Sequence, residues 1–257
     1  MLYCRFQFGD IQAWGIVEDH TVWEVVPDIY TPLERTGRSF SLQEVRLLAP
    51  CRPSKIVAVG LNYRAHIGEF GRTEIPLEPI LFLKAPSALI GPDEPILLPT
   101  GVSPVDYEAE LAVVISKAGR HIPESRALDY ILGCVCLNDV TARALQKQDG
   151  QWMRAKSFDT FAPVGPWIAG GLPVQNLRVE AYLNGRMVQQ SNTSQMIFSV
   201  PRLVSFISDV MTLFPGDIIS TGTPQGVGPL KAGDIIEVFV EGVGRLKNSV
   251  QAEAHEV

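Results

Sequence analysis

Two glutamates one residue apart, Glu108 and Glu110, sit in the stretch Asp106-Tyr107-Glu108-Ala109-Glu110-Leu111-Ala112-Val113-Val114-Ile115. The pattern over Asp106 to Ser116 predicts one long strand. On a strand, residues i and i+2 share a face, which puts the two carboxylates on one side, about 7 Å apart at Cβ. The same face continues with Ala112 and Val114, so the pair lies beside apolar surface. Two carboxylates in that setting repel each other and lose hydration, and a divalent cation relieves both costs. An all-oxygen donor set favours Mg²⁺, Mn²⁺ or Ca²⁺ over zinc. The plainer alternative is a strand end that faces solvent.

Other residues could join such a site. Asp139 closes the apolar run Ile131 to Asp139, ILGCVCLND, and so sits at the mouth of a buried strand. It would serve equally as the N-cap of a helix starting at Val140-Thr141-Ala142-Arg143. In Gly60-Leu61-Asn62-Tyr63-Arg64-Ala65-His66-Ile67-Gly68-Glu69, a helical turn brings His66 and Glu69 together at i, i+3. A carboxylate on one imidazole nitrogen fixes the tautomer and raises the basicity of the other, as a general base requires; a solvated surface turn is the alternative. Lys156 lies among small and apolar residues in Arg154-Ala155-Lys156-Ser157-Phe158. Partly buried there, it would need an anionic partner; otherwise it is a surface lysine. Thr221-Gly222-Thr223-Pro224-Gln225-Gly226-Val227-Gly228-Pro229 is a rigid Gly-rich loop whose N–H groups and hydroxyls could hold a carboxylate. It lacks the GxxxxGK[ST] pattern of a phosphate-binding loop.

The elements that must position these groups are mostly strands. Leu2 to Phe8, Ala13 to Glu18 and Thr21 to Val26 read as a small antiparallel meander. Pro50-Cys51-Arg52-Pro53 breaks the pattern and suggests a boundary between an N-terminal β domain, residues 1–50, and a domain of residues 51–257. Short strands follow at Lys55 to Val59, Ile80 to Lys84, Ile96 to Leu98 and Gly133 to Asn138, with a helix over Ser125 to Leu132. Asn184-Gly185 between Val179 to Leu183 and Met187 to Gln190 signals a hairpin. Val200, Leu203, Val204, Ile207, Val210 and Met211 follow helical spacing behind Ser199, a candidate N-cap. Ile235 to Val240 and Arg245 to Val250 make a last hairpin. Strands outnumber helices without alternating regularly with them, which speaks for a β-rich α+β fold and against a doubly wound or barrel α/β one.

Composition narrows the function classes. With 46% hydrophobic and 19% charged residues among 257, the chain is not globally disordered. A net charge of −6 without a basic cluster argues against nucleic acid as partner. No stretch approaches the apolar length of a membrane span, and the N-terminus lacks the basic-then-apolar pattern of a signal peptide, so cytoplasmic placement is expected. Of four cysteines, Cys134 and Cys136 read as small buried hydrophobes. A metal pair is the sharper alternative, although no second pair with zinc spacing follows. The polar, Gly/Pro-bounded segment Phe70 to Pro76 could be a lid.

The segments GLNYRAHIGEF, DYEAELAVVI, GCVCLNDVTAR, AKSFDTFAPVGPWI and TGTPQGVGPL, in this order over residues 51 to 230, resemble the fumarylacetoacetate hydrolase superfamily. The resemblance implies a mixed β-sandwich roll, a homodimer and a variable N-terminal domain. By position, Glu108, Glu110 and Asp139 match the ligands of Mg²⁺ or Mn²⁺. His66 and Glu69 match the dyad that activates water, and Lys156 the residue that stabilises an enolate or oxyanion. Gln146, Thr223 and Arg143 match substrate contacts. The implied activity is metal-dependent carbon–carbon cleavage of a small 2-oxo acid through a pyruvate enolate, as in an acylpyruvate hydrolase or an oxaloacetate decarboxylase. The superfamily also holds isomerases, tautomerases and hydratases of 2-oxo dicarboxylates. A non-catalytic metal- and acid-binding module is the remaining alternative.

Overall fold

A computed structural model of the chain describes residues 1–69 and 74–254. Three β-sheets dominate it. The largest carries, in spatial order, Glu34–Ser41, Thr21–Val26, Ile11–Glu18, Leu2–Phe8, Ala162–Ala169, Ile131–Asn138, Ala109–Ile115, Ile218–Ser220, Ile56–Gly60 and Ile80–Lys84. A five-stranded sheet runs Arg186–Asn192, Arg178–Leu183, Ile235–Val240, Gly244–Ala252, Ile96–Leu98. It packs across Ala109–Ile115 and Ile131–Asn138, sheet on sheet. Both covered strands are therefore apolar along most of their length instead of alternating, with Glu110 and the terminal Asn138 as the exceptions, and all seven residues of Ala109–Ile115 are buried. The fold is β-rich α+β with mixed sheets. The N-terminal strands continue the large sheet, with Leu2 opposite Ala169 and Tyr3 opposite Ile168.

Local chemistry explains several elements. Asn184 and Gly185 both take positive φ, +52° and +78°, as a two-residue hairpin turn demands. The helix Val200–Val210 starts behind Ser199, whose Oγ accepts from the Arg202 N–H. Its buried stripe of Val200, Leu203, Val204 and Ile207 follows the 3.6-residue period.

Two expectations need correction. Asp106 to Ser116 is not one strand. Val105–Tyr107 belongs to a small sheet with Thr141–Ala142 and Gly228–Pro229, and Ala109–Ile115 to the large one. The chain changes sheets at Glu108, whose N–H donates to Asn138 Oδ1 at 2.9 Å and whose C=O accepts from the Asp139 N–H at 2.8 Å. Side-chain and off-ladder partners thus satisfy the backbone where the ladder breaks. Ser125 to Leu132 is a 3₁₀ turn over Glu124–Tyr130, packed on the helix Val200–Val210, and Ile131 already belongs to the sheet. All four cysteines are free and buried, and burial pushes the Cys134 and Cys136 thiols up to about 12. They behave as small hydrophobes, not as a thiolate pair. Of the segment expected to act as a lid, residues 70–73 lie outside the described residues. Among the described residues, no helix is long and apolar enough to cross a membrane.

Candidate metal centre and active site

The sheet change at Glu108 sets up the site. It leaves the Glu108 and Glu110 carboxyls on either side of a strand start, next to Asp139 at the end of the neighbouring strand Ile131–Asn138. One oxygen from each of the three lies within 4.8 Å of the others, and all three residues are buried. Asp139 is not a helix cap: the helix Arg143–Asp149 begins behind Ala142 with no side-chain cap bond.

Cations surround the carboxylates. Lys156 Nζ donates to Glu108 Oε2 at 2.8 Å and to Asp139 Oδ2 at 2.6 Å. Lys84, from the strand Ile80–Lys84, donates to Asp139 Oδ1 at 2.6 Å and to the Val140 carbonyl at 3.2 Å. Arg143 donates to Asp106 Oδ2 at 2.8 Å, to Gln146 Oε1 at 2.7 Å, and also to Glu108 Oε1. Lys156 is thus a buried lysine, and the anions it meets are two of the candidate ligands themselves. Burial alone would depress its ammonium; Asp139 and Glu108 outweigh that and hold it above the ordinary lysine value. Burial would likewise push the Glu108 carboxyl up, but Lys156 and Arg143 keep it well below the usual carboxylate range.

Glu110 behaves the opposite way. Burial, followed by the charges of Asp139 and Glu108, drives its carboxyl well above the ordinary glutamate value, against the Ser220 hydrogen bond. Its Oε2 accepts from Ser220 Oγ and from the Gly222 N–H at 2.8 Å. Among the described residues, four carboxyls, those of Asp106, Glu108, Glu110 and Asp139, face three cations, Lys84, Lys156 and Arg143. A divalent cation would supply the missing positive charge, and this all-oxygen donor set fits one.

His66 opens onto the same cavity of about 440 Å³, together with Phe82, Arg143, Gln146 and Thr223. Its Nδ1 is 2.8 Å from Glu69 Oε2. An ionised carboxylate only accepts, so Nδ1 carries the proton in this pair and the basic lone pair is on Nε2. Glu69 is held in turn by the Gly226 N–H at 2.7 Å. The loop Thr221 to Pro229 therefore does hold carboxylates, and they are those of Glu110 and Glu69. At Gly222, φ is +96° and a Cβ would come within 2.8 Å of the Asn62 Cβ, so only glycine lets the loop lie this close. Thr223 Oγ1 donates to the Ala109 carbonyl at 3.0 Å and accepts from Gln189 Nε2 at 2.9 Å.

Lys84, Asp106, Ser220 and Gln189 are the site residues the sequence reading passed over. For Lys84 a signal existed: like Asp139, it is a charged residue closing an otherwise apolar strand, Ile80–Lys84. Its side chain is fully buried, and removing one member of a buried ion pair strands the other. Lys84→Met is expected to cost about 3 kcal/mol of stability, read as a lower urea midpoint. An unchanged midpoint would mean that Asp139 is satisfied by Lys156 alone.

Comparison with known proteins places this geometry. Residues 55–251 match the family described as fumarylacetoacetate (FAA) hydrolase C-terminal. The chain belongs to the fumarylacetoacetate hydrolase family. Residues 1–50 match a second family, described as Rv2993c-like, N-terminal. The chain is 43% identical over 281 residues to 2,4-didehydro-3-deoxy-L-rhamnonate hydrolase from a Sphingomonas species, covering 99% of this chain and 98% of that protein. It is similar to the crystal structure of 5-carboxymethyl-2-hydroxymuconate delta-isomerase from Mycobacterium smegmatis, with a TM-score of 0.94, 43% identity and coverage of 98% and 100%. Maleylpyruvate hydrolase from Sphingobium sp. SYK-6, solved with manganese(II) and pyruvate, superposes with a TM-score of 0.82 at 30% identity, covering 99% of this chain and 100% of that one. The named relatives are hydrolases and an isomerase, so the family is one of enzymes.

Proposed function

We propose that the protein is a divalent-metal-dependent enzyme, with Mg²⁺ or Mn²⁺, that cleaves a carbon–carbon bond in a small 2-oxo acid bearing a second carbonyl. The observation that carries this reading is the His66–Glu69 pair, at 2.8 Å, on the same cavity as the buried carboxyls of Glu108, Glu110 and Asp139. Those three carboxyls would hold the cation, which supplies Lewis acidity and a template for two substrate oxygens. His66 takes a proton from water at Nε2 while Glu69 fixes Nδ1–H and stabilises the imidazolium. The water oxygen attacks the distal carbonyl, and the bond between that carbon and its neighbour breaks. The electron pair passes to the pyruvate fragment as an enolate. Lys156 and Arg143 place positive charge beside it, in a buried setting where charge interactions are strong. With oxaloacetate the same enolate forms when carbon dioxide leaves.

The test is pyruvate release from acetylpyruvate and from oxaloacetate, in parallel, with Mg²⁺ and with EDTA. Metal-dependent release from acetylpyruvate is the expected result for a hydrolase, and release from oxaloacetate alone that for a decarboxylase. The similarity to a delta-isomerase at 43% identity supports a second reading, in which the same dyad moves a proton within the substrate without water. Pyruvate from neither compound, with metal-dependent loss of enol absorbance from oxaloacetate, would replace the first reading by the second.

A further inference from the structure

Among the described residues, Lys147 is the cation at this cavity without a partner. Lys84, Lys156 and Arg143 are all committed to the carboxylates of the floor. Lys147 also lines the cavity, yet among the described residues it makes no ion pair or hydrogen bond, and it is exposed. Its placement follows from the helix Arg143–Asp149, where Arg143, Gln146 and Lys147 stand at i, i+3 and i+4 on one face and all three reach the cavity. Burial falls off along that face, from buried Arg143 through half-buried Gln146 to exposed Lys147, so Lys147 marks the mouth. The rest of the outer lining includes apolar rings. Trp152 lies so close on Gly60 that a Cβ there would come within 2.4 Å of its ring, and it meets Phe82 edge-on at 5.3 Å between centroids. The mouth thus offers an aromatic wall and one unpaired ammonium.

We propose that Lys147 determines specificity by receiving a second carboxylate at the far end of the substrate, so that the protein prefers 2-oxo dicarboxylates to acylpyruvates with a neutral tail. This rests on the reading that the 2-oxo acid end sits at Glu108, Glu110 and Asp139. A neutral acyl tail leaves the ammonium hydrated as before and gains nothing from it. A terminal carboxylate gains a charge-assisted partner. Because Lys147 is exposed, solvent screening keeps the gain to about 5-fold in affinity.

The experiment titrates Mn²⁺-loaded protein with 2-oxoglutarate and with 2-oxopentanoate, which share a five-carbon chain and differ in the distal carboxylate. Wild type is expected to bind 2-oxoglutarate about 5-fold more tightly. Lys147→Gln should erase the preference by weakening the dicarboxylate alone, and Lys147→Glu should reverse it. A preference that survives Lys147→Gln, or equal weakening of both ligands, overturns the assignment. Equal binding of both ligands by wild type overturns it too and leaves the 2-oxo acid reading standing. Binding of neither removes that reading, and the role of Lys147 with it.

Discussion

Glu110→Gln should separate folding from metal binding. In the metal-free protein, burial and the neighbouring carboxylates hold the Glu110 carboxyl well above its ordinary value, which favours the neutral form. Glutamine copies that neutral form. Its amide oxygen can still accept from Ser220 Oγ and the Gly222 N–H, and its amino group points donors at anionic neighbours. Stability in EDTA should therefore change by no more than about 1 kcal/mol. The response to metal should differ. Wild type is expected to gain about 2.7 kcal/mol at a metal concentration a hundredfold above Kd; the variant, short of an anionic ligand, should lose at least about 100-fold in affinity, and turnover with it. The sign of the pH dependence follows from the same shift. A carboxyl raised in the folded state adds stability below its unfolded value, and loses it as pH rises through the folded one. A metal ion requires the ionised carboxylate, so wild-type affinity should increase with pH through the raised titration of Glu110, with proton release on binding in that range. Melting curves with and without Mg²⁺ across pH read both effects. An unaltered metal response in Glu110→Gln would remove Glu110 from the ligand set.

Why Glu110 sits there was only half legible in the chain. The alternation in Asp106 to Ile115 marks two carboxylates beside apolar surface, and that much is local. It does not reveal the sheet change at Glu108, because the pattern is the same for a continuous strand and for one that breaks. The break is decided by Asn138, thirty residues on, whose side chain accepts the Glu108 N–H. Lys84 escaped notice for a similar reason, since its partner Asp139 is 55 residues away. The loop Thr221 to Pro229 reads from the sequence as able to hold a carboxylate; the carboxylates its N–H groups meet in the fold are the protein's own, Glu110 and Glu69, and that depends on tertiary approach alone. Glu34–Ser41 offered no period at all: it is a largely exposed edge strand, tied to its neighbour Thr21–Val26 through pairs such as Arg38–Glu24. The hairpin at Asn184-Gly185 and the helix behind Ser199 were legible because backbone conformation and helical period are written within a few residues.

His66→Asn is expected to split the two cleavage reactions. Asparagine offers an N–H in place of Nδ1–H and so keeps a donor for Glu69, but it has no basic nitrogen. Glu69 keeps the Gly226 N–H and is partly exposed, so no buried charge is left unpaired and the fold should survive. Hydrolysis needs a proton taken from water, and loss of a positioned general base costs on the order of 10²–10⁴ in rate. Decarboxylation of oxaloacetate consumes no water in the bond-breaking step. It draws on charge at the developing enolate, which Lys156 and Arg143 still supply, so it should fall far less. The comparison is kcat on acetylpyruvate and on oxaloacetate in the same variant, because a general loss of folded or metal-loaded enzyme lowers both alike. Equal losses would place His66 in proton transfer on the substrate itself, as an isomerase or tautomerase requires, and would move the function of the whole site from hydrolysis to proton relocation.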